Sequence, residues 1–405
     1  MALFALIIFL PARAQLQFSD SVRISFLTCT QGPDAYERFG HAGIRILDLR
    51  HMDVDVTFDY GVFSFNAPHF VYRFVKGETD YQLGAQYTSD FIERHRRRGL
   101  GMTEQVIRLD SAQSQTMIEL LLSNYRPENR TYRYSYFFDN CSTRPYNLLN
   151  QVTNHTISYD SAWTHSTTLR EMVQEKTGRD NWLDFGIALA VAGRSDLEAT
   201  YKEQMFLPDY LMKALDHAQI PIQVGNATWM TPVVESKSIL LEMRTDIKEK
   251  IETPDTIMPN TVFGIMLLLA LLISGIEFYV KHQQKSTQKK TVRIIANCFD
   301  SLILLFIGLT GCIVWFLNFF SLHPAVDHNI NCLWLLPTHV IMAVLLWFKK
   351  FPKTCYLYFG ITFAAIIIYV ILDWASGQYC PKAFLLILSS LLLRSFMHLD
   401  ISKKH

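Results

Sequence analysis

The chain has 405 residues, half of them hydrophobic, and its 38 Lys and Arg residues nearly balance 37 Asp and Glu residues, which gives a formal net charge of +1. This balance excludes the basic excess typical of nucleic-acid binding and the high net charge typical of disordered chains. The informative feature is where the apolar residues lie, because five long apolar runs occupy the last third of the chain.

The chain begins with MALFALIIFLPARAQ, whose apolar stretch is too short to span a membrane comfortably as a helix. The small-x-small pattern Ala12-Arg13-Ala14 follows it. Together these features predict a signal peptide over residues 1–14 that is cleaved near Ala14. No Lys or Arg precedes the apolar stretch, so an uncleaved anchor is the alternative.

The next part of the chain combines strands with helices. Residues 20–110 alternate turns with the β-rich runs VRISFLTC, HAGIRILDL, VDVTFDYGVFSF and EQVIRL. Helical patterns follow, with Asp110 and Asp139 as N-cap residues and with Pro208 at a helix start within 181–219. Strands first and helices later predict an α+β class for an exported domain over residues 15–255.

The apolar runs lie at about 261–280, 294–320, 333–348, 356–373 and 383–397. Each can cover most of a hydrocarbon core of about 30 Å as a helix, so they predict an all-α, five-helix membrane domain over residues 256–405. The first and third connections and the C-terminal tail carry eleven Lys and Arg residues, whereas the other two connections carry only Lys382. The positive-inside rule therefore places the C-terminus in the cytosol and residues 15–255 outside.

The stretch YFFDNCSTRP, residues 136–145, contains the most informative cysteine. If Asp139 is an N-cap, Cys141 lies in the first turn of a helix, where unpaired N–H groups and the helix dipole favour a thiolate. A thiolate nucleophile needs a base, and RFGHAGIRI supplies His41 at the entrance of a strand. Contact between the two is a hypothesis, because 100 residues separate them.

Other interpretations of Cys141 remain open. It can be a buried, inert thiol, or it can form a disulfide with Cys29, because these are the only two cysteines outside the membrane region and the compartment is oxidising. A zinc site is poorly supported, since the histidines of this region lack metal-ligand spacing. These histidines are His51, His69, His95, His155 and His165.

Several motifs resemble those of the Lnb-type lipoprotein N-acyltransferases, namely FLTCTQG, FGHAGIRILD, FDYGVFSF, FVKGETDYQL, PENRTYRYSYFFDNCSTR and HPAVDHNINCLWLLPTH. The resemblance implies a circularly permuted papain-like, NlpC-type domain in which the histidine strand precedes the cysteine helix. It also implies that Cys141 is the nucleophile and His41 the base. Lecithin:retinol acyltransferase is similar in this order of histidine and cysteine.

The resemblance implies acyl transfer in two steps. A phospholipid donor acylates Cys141, and the α-amino group of a diacylated lipoprotein then attacks the thioester. No metal, nucleotide or other cofactor is expected. The implied location is the bacterial inner membrane, with the catalytic domain in the periplasm.

Further residues are candidates for supporting roles. Tyr60 could orient His41 or donate to the oxyanion, and the alternative for it is a half-buried strand aromatic. Asn140 could add an oxyanion donor or serve as a cap. Arg45 and Arg144 could bind a phosphate head group or pair with carboxylates. Asp59 is a third candidate for orienting His41, although the family pattern has a less acidic residue there.

Two polar segments have less specific interpretations. The basic run RHRRR, residues 94–98, fits a solvated face, with anionic lipid as the alternative partner. The segment 321–331 contains His323, His328, Asn329 and Asn331. It can form a docking surface for the catalytic domain or a simple interfacial loop.

Two rival functions use the same residues. A membrane-tethered cysteine peptidase or cell-wall amidase would use the same Cys141 and His41 pair but would admit water as the acceptor. A non-enzymatic sensor or scaffold would contain a Cys29–Cys141 disulfide that only staples the domain. The five apolar runs favour the transferase, because both of its substrates are lipids.

Overall fold

The computed structural model describes residues 16–63, 66, 68–253, 256–281, 286–348 and 352–402. The predicted signal peptide lies outside the described residues, as do Lys285, Lys349, Lys350, Lys403 and Lys404 of the cytosolic set. The chain divides into two compact units. The first contains the residues up to Lys176 together with Glu198–Thr253, and the second contains Thr177–Leu197 and the residues from Pro254 onward. Residues 177–197 fall within the predicted exported domain, whereas in the structure they belong to the second unit with the apolar helices.

Strands and helices have the following bounds. The strands are β1 (Val22–Cys29), β2 (His41–Asp48), β3 (Asp55–Val62), β4 (Asp80–Tyr87), β5 (Met102–Ile107), β6 (Thr131–Arg133), β7 (Ser158–Tyr159), β8 (Ala218–Val224), β9 (Ala227–Pro232) and β10 (Val234–Leu241). The helices of the first unit are α1 (Phe70–Lys76), α2 (Thr88–Arg97), α3 (Ser111–Tyr125), α4 (Thr143–Val152), α5 (Leu169–Thr177), α7 (Tyr201–Gln204), α8 (Pro208–Asp216) and α9 (Thr245–Glu252), where α5 ends at the unit boundary. Those of the second unit are α6 (Trp182–Ala190), α10 (Pro259–Lys281), α11 (Ser286–Phe320), α12 (His339–Leu345), α13 (Pro352–Ser376) and α14 (Lys382–Ser402).

The first unit is built on a seven-stranded antiparallel sheet with the order β10-β5-β1-β2-β3-β4-β6. The four β-rich runs predicted from the sequence form β1, β2, β3 and β5. In the β1–β2 pair Cys29 is directly opposite His41. Strand β2 lies between β1 and β3, and its pairing with β3 covers Ile44 to Leu47, so His41 at its start lies beyond the paired part of β3.

Helices α3, α4 and α8 pack against this sheet. Their buried residues, among them Met117, Leu149 and Leu211, join the strand residues Ile44 and Phe58 in one apolar core. Burial of such side chains contributes about 1.5–3 kcal/mol each. The predicted caps of two helices are confirmed, because Asp110 forms a capping box with Gln113 at α3 and Pro208 is the first residue of α8.

Six of the ten described strands were not predicted from the sequence, namely β4, β6, β7, β8, β9 and β10. Strand β8 pairs with β7 on one side and β9 on the other in a small sheet, and β10 adds an edge to the main sheet beside β5. Most residues of β9 and β10 are exposed. A strand exposed on both faces lacks the alternation of apolar and polar residues that identifies strands in a sequence.

Among its described residues, the second unit contains four helices that are long and apolar enough to cross a membrane, at Pro259–Lys281, Thr287–Phe320, Pro352–Ser376 and Lys382–Leu399. The third predicted span, 333–348, is not one continuous helix. It begins at the end of a short 3-10 helix, Ile330–Leu333, and continues into α12. Pro337 lies between the two pieces, and proline disfavours helical geometry at the residue before it.

A buried ion network joins three of these helices. Arg394 of α14 donates two hydrogen bonds to Asp300 of α11, at 2.6 and 2.9 Å, and one to Glu277 of α10 at 2.6 Å. His398 contacts the same carboxylate of Asp300 at 2.8 Å. Buried charges are tolerated when they are paired in this way, so the network ties the helices together.

The segment 321–331 binds residues that precede the apolar helices in the sequence. Asn329 donates a hydrogen bond to the carbonyl of Leu189 at 2.8 Å, and Asn331 donates one to the carbonyl of Ala188 at 3.1 Å. These carbonyls lie at the C-terminal end of α6, where backbone oxygens lack helical partners. The two asparagines therefore hold α6 within the second unit.

Candidate active site

His41 is the first residue of β2, and its partner is Asp59 on the neighbouring strand β3. The Nε2 atom of His41 lies 2.6 Å from Oδ1 of Asp59. The other oxygen of Asp59 accepts a hydrogen bond from Arg94 of α2 at 3.3 Å. Asp59 is buried, whereas the His41 side chain remains 27% exposed, so a fixed carboxylate orients an accessible imidazole.

The charges of this pair stabilise each other. Burial alone would lower the pKa of His41, but Asp59 and Cys141 outweigh it and raise the pKa well above its ordinary value. Burial would likewise raise the pKa of Asp59, but the charge and hydrogen bond of His41 and the charge of Arg94 lower it to about 2. The arrangement therefore favours an imidazolium beside a carboxylate.

Cys141 lies immediately before α4 and is buried. The preceding residue shapes this turn, because Oδ1 of Asn140 accepts hydrogen bonds from the backbone N–H groups of Ser142 and Thr143 at 2.8 and 2.9 Å. The prediction that Asp139 is the N-cap is wrong. The carboxylate of Asp139 instead accepts two hydrogen bonds from Arg144, at 2.6 and 2.8 Å.

Gly61 lies between the base and the cysteine. A Cβ atom placed on Gly61 would be 3.3 Å from Cε1 of His41 and 3.9 Å from Cβ of Cys141. Cys141 lies close enough to His41 to contribute to the raised pKa of the imidazole. Because Nε2 of His41 is bound to Asp59, Nδ1 is the ring nitrogen that remains for Cys141. The structure thus brings Cys141, His41 and Asp59 into one row, and this arrangement can activate a thiol for nucleophilic attack.

Cys29 and Cys141 are both free thiols in the structure, so the disulfide hypothesis finds no bond to support it. Cys29 is buried on β1 opposite His41. Burial raises the pKa of its thiol well above the ordinary value, and the charge of Asp59 raises it further. Cys29 is therefore a neutral thiol beside the row formed by Cys141, His41 and Asp59.

Two other predicted supporting residues have structural partners instead. The Tyr60 hydroxyl accepts a hydrogen bond from Asn124 at 2.9 Å, and burial raises the pKa of Tyr60 to about 12. Asn140 donates from its Nδ2 atom to the carbonyls of Tyr136 and Phe206, at 2.6 and 3.0 Å. The amide of Asn140 is therefore committed to the turn, and Asp59, not Tyr60, orients His41.

The two arginines proposed to bind phosphate are both paired with carboxylates. Arg45 donates to both oxygens of Asp55 at 2.8 and 2.7 Å and to Glu104 at 2.9 Å. Arg144 pairs with Asp139, and its guanidinium carbon lies 3.6 Å from the ring centroid of Tyr132. These contacts agree with the alternative in which the arginines are structural.

The basic run 94–98 is not a uniform solvated face. Arg96 and Arg97 pair with Glu93, and Arg98 pairs with Glu37, whereas Arg94 points to Asp59. Arg94 was not predicted to be a site residue. No sequence signal could have found it, because the contact depends on α2 packing against β3.

Four tyrosines near Cys141 were also missed, namely Tyr81, Tyr132, Tyr134 and Tyr136. Burial raises the pKa of each phenol, and the charge of Cys141 raises it further. Among the described residues, the buried hydroxyls of Tyr132 and Tyr136 have no hydrogen-bond partner. The alternating aromatic spacing in YRYSYFF was the available signal for a cluster beside the cysteine.

In the part of the chain that the structure describes, no group of three or more His, Cys, Asp or Glu side chains could hold a metal ion.

The fold and the site define a membrane protein whose α/β domain carries a Cys–His–Asp row. Two family models match successive parts of the chain, the Lnb N-terminal periplasmic domain over residues 13–175 and the Lnb transmembrane domain over residues 251–405. The chain therefore belongs to the Lnb family, which confirms the resemblance to Lnb-type lipoprotein N-acyltransferases. No curated protein and no solved structure matches the chain.

Proposed function

We propose that the protein is a lipoprotein N-acyltransferase that works through a thioester on Cys141. The observation that carries the proposal is that His41 binds Asp59 and lies across Gly61 from Cys141 in a chain of the Lnb family. The four helices among the described residues that are long and apolar enough to cross a membrane support the proposal, because the proposed substrates are membrane lipids.

In the first step His41, as an imidazolium, already holds the proton that Cys141 has given up, and the Cys141 thiolate attacks an ester carbonyl of a membrane phospholipid. The tetrahedral intermediate then collapses, the carbon–oxygen bond breaks, and His41 returns the proton to the leaving alkoxide. The products are a lysophospholipid and an acyl-Cys141 thioester. Asp59 keeps the imidazolium oriented throughout, and Arg94 holds the second oxygen of that carboxylate.

In the second step the α-amino group at the N-terminus of a diacylated lipoprotein attacks the thioester. The amine has an ordinary pKa of about 7.7–8.0, so a useful neutral fraction exists near neutral pH. His41 accepts the proton that the amine loses, the carbon–sulfur bond breaks, and the Cys141 thiol is regenerated with an amide as the product.

Both tetrahedral intermediates carry an oxyanion that needs hydrogen-bond donors. The Asn140 amide is already committed to two carbonyls. We therefore assign this role to the hydroxyls of Tyr132 and Tyr136, which are buried near Cys141 and have no partner among the described residues.

Complementation tests the proposal. The wild-type chain should restore triacylated lipoproteins, detected by mass spectrometry, in bacterial cells depleted of their own N-acyltransferase. Cys141→Ser should not restore them at the same membrane abundance, and Cys29→Ala is the matched control with a second thiol removed. Diacylated lipoproteins in cells with abundant wild-type protein would contradict the proposed activity.

A further inference from the structure

Helix α1 is rich in apolar and aromatic residues although it lies on the surface of the first unit. Its sequence is FVYRFVK, and none of its seven residues is buried. Val71 is 73% exposed, Tyr72 54% and Phe74 49%. Large apolar side chains clustered on one exposed helix indicate a surface that is covered in use.

The rings of α1 continue into the interior of the domain as a stack. Phe74 stacks on Phe70 with centroids 6.0 Å apart, and Phe70 stacks on Phe63 at 5.9 Å. Phe63 then stacks on Tyr81 at 4.7 Å, and Tyr81 stacks on Tyr134 at 4.1 Å. The interplanar angles lie between 17° and 25°, so the five rings form one continuous aromatic stack.

The inner end of this aromatic stack, Tyr81 and Tyr134, lies near Cys141. Tyr81 and Cys141 belong to the same buried core, and Phe63 and Tyr134 pack against that core. Phe63 also follows Gly61, the residue between His41 and Cys141, by only two positions. One end of the aromatic stack is thus exposed on α1, and the other end lies at the nucleophile.

We propose that α1 inserts into the membrane interface and that the aromatic stack guides the acyl chain of a phospholipid from the bilayer to Cys141. The occupant is lipid because the same chain contains apolar helices long enough to cross a membrane, so its first unit is tethered to a bilayer. Arg73 and Lys76 on α1 pair with Asp80 and Glu78, so the apolar side chains, not a basic patch, provide the attraction.

The role of the aromatic stack rests on the proposed acyl transfer, whereas the contact of α1 with lipid does not. Two experiments on the full-length chain in vesicles of phosphatidylethanolamine and phosphatidylglycerol separate the two. The first replaces Val71 with a benzoylphenylalanine photo-crosslinker and analyses the irradiated protein by mass spectrometry. The control has the crosslinker at Met52, which is 63% exposed in the turn between β2 and β3, at the other end of β2 from His41.

We expect a phospholipid adduct at position 71 and none at position 52. A crosslink from position 71 to protein, either within the chain or to a second copy, would overturn the assignment of lipid as the occupant. So would equal labelling of both positions by lipid. This result does not depend on catalysis, so it stands even if the wild type forms no acyl adduct.

The second experiment compares two acyl donors, a long-chain phospholipid and a water-soluble ester with a four-carbon acyl group. Phe63→Ala and Phe70→Ala should each slow acylation of Cys141 by the long-chain donor about tenfold, because aromatic contacts along the chain are lost. Acylation by the short ester and alkylation of Cys141 by iodoacetamide should stay within about twofold of the wild-type rate, because the nucleophile itself is unchanged.

The matched control is Tyr87→Ala, an exposed aromatic at the opposite end of β4 from Tyr81, which should not change either rate. Equal slowing of both donors by the Phe63 and Phe70 variants would overturn the guiding role. Unchanged rates with both donors would overturn it as well. A wild type that is alkylated by iodoacetamide but never acylated would instead refute the proposed function.

Discussion

His41 and Asp59 form a 2.6 Å contact between the first residue of β2 and the interior of β3, and this contact fixes which ring nitrogen serves Cys141. Because Nε2 is held by the carboxylate, only Nδ1 can exchange a proton with the sulfur. The pair therefore determines both the orientation and the charge of the base.

The pH dependence of acylation tests this relationship. Asp59 raises the pKa of His41, so Asp59→Asn should lower that pKa. Acylation needs imidazolium to protonate the leaving group, so the alkaline limb of the pH–rate profile should move to lower pH. Asp55→Asn, which removes a partner of Arg45 on the same strand, should leave that limb in place.

The charges of His41 and Asp59 should also set the pH range in which the wild-type fold is most stable. His41 sets the alkaline limit of this range, and Asp59 sets the acidic limit. The raised pKa of His41 stabilises the fold below its ordinary pKa of about 6.5, and this contribution is lost as pH rises through the folded value. The lowered pKa of Asp59, about 2, stabilises the fold above about pH 3.8, and this contribution is lost as pH falls towards 2.

For the pH–rate profile of acylation, an alkaline limb that does not move in Asp59→Asn would contradict the assigned role of Asp59.

Gly61→Ala should separate the base from the nucleophile. Gly61 has φ +124°, and its added Cβ would lie 3.3 Å from Cε1 of His41. His41 must then move by a few tenths of an ångström and the backbone is strained at this φ, so acylation should fall by about tenfold, less than the roughly 100-fold that a 1 Å displacement costs. Gly186→Ala in α6, where an added Cβ meets open space, should retain wild-type activity. Full activity in Gly61→Ala would show that the close approach is not required.

Tyr132→Phe and Tyr136→Phe test the assigned oxyanion donors. Removal of one such donor costs about 10²–10³ in the rate of the chemical step, so each variant should slow acylation while phospholipid binding changes little. Tyr60→Phe is the control, because the Tyr60 hydroxyl already binds Asn124. A larger loss in Tyr60→Phe than in both other variants would reverse the assignment. Single-turnover acylation with a radiolabelled donor provides the measurement.

Cys29→Ala distinguishes a nucleophile from a disulfide. Cys29 is a free thiol whose raised pKa keeps it neutral, so its removal should preserve most activity and cost about 1 kcal/mol of the free energy of unfolding. Cys141→Ala and His41→Ala should each abolish acyl transfer. In the wild type without acceptor lipoprotein, mass spectrometry should find a hydroxylamine-labile acyl group on Cys141. An intact Cys29–Cys141 bridge and no acyl group would support the scaffold instead.

The membrane topology is a prediction from the distribution of Lys and Arg, eleven residues against one, and it still holds at ten against one because the structure buries Arg394 within α14. Reporter fusions after residue 255 should indicate the outside, and fusions at 285 and 405 should indicate the cytosol. The third apolar run decides the result, because the structure divides it into two short helical pieces around Pro337. A reporter at 405 that is active outside would mean that this run does not cross the membrane.

The sequence by itself determined the elements whose signals are local. Strands β1, β2 and β3 show apolar β-rich runs, the capping box of α3 needs only Asp110 and Gln113, and the apolar helices follow from length and hydrophobicity. Cys141 and His41 could be selected for their chemistry and for their motifs. The start of α4 could not, since the sequence offers Asp139 as the cap, whereas in the structure Ser142 is the N-cap residue and the Asn140 side chain accepts from the N–H groups of Ser142 and Thr143.

Only the tertiary structure decided which residues support Cys141 and His41. Tyr60 and Asp59 are neighbours on one strand, and alternation sends their side chains to opposite faces, so that Asp59 meets His41 and Tyr60 meets Asn124. Arg94 reaches Asp59 because α2 packs on β3, across 35 residues of sequence. The same is true of α6, which belongs to the apolar unit because Asn329 and Asn331 bind the carbonyls at its end. Such contacts depend on the packing of distant segments, and the local patterns of a sequence do not encode that packing.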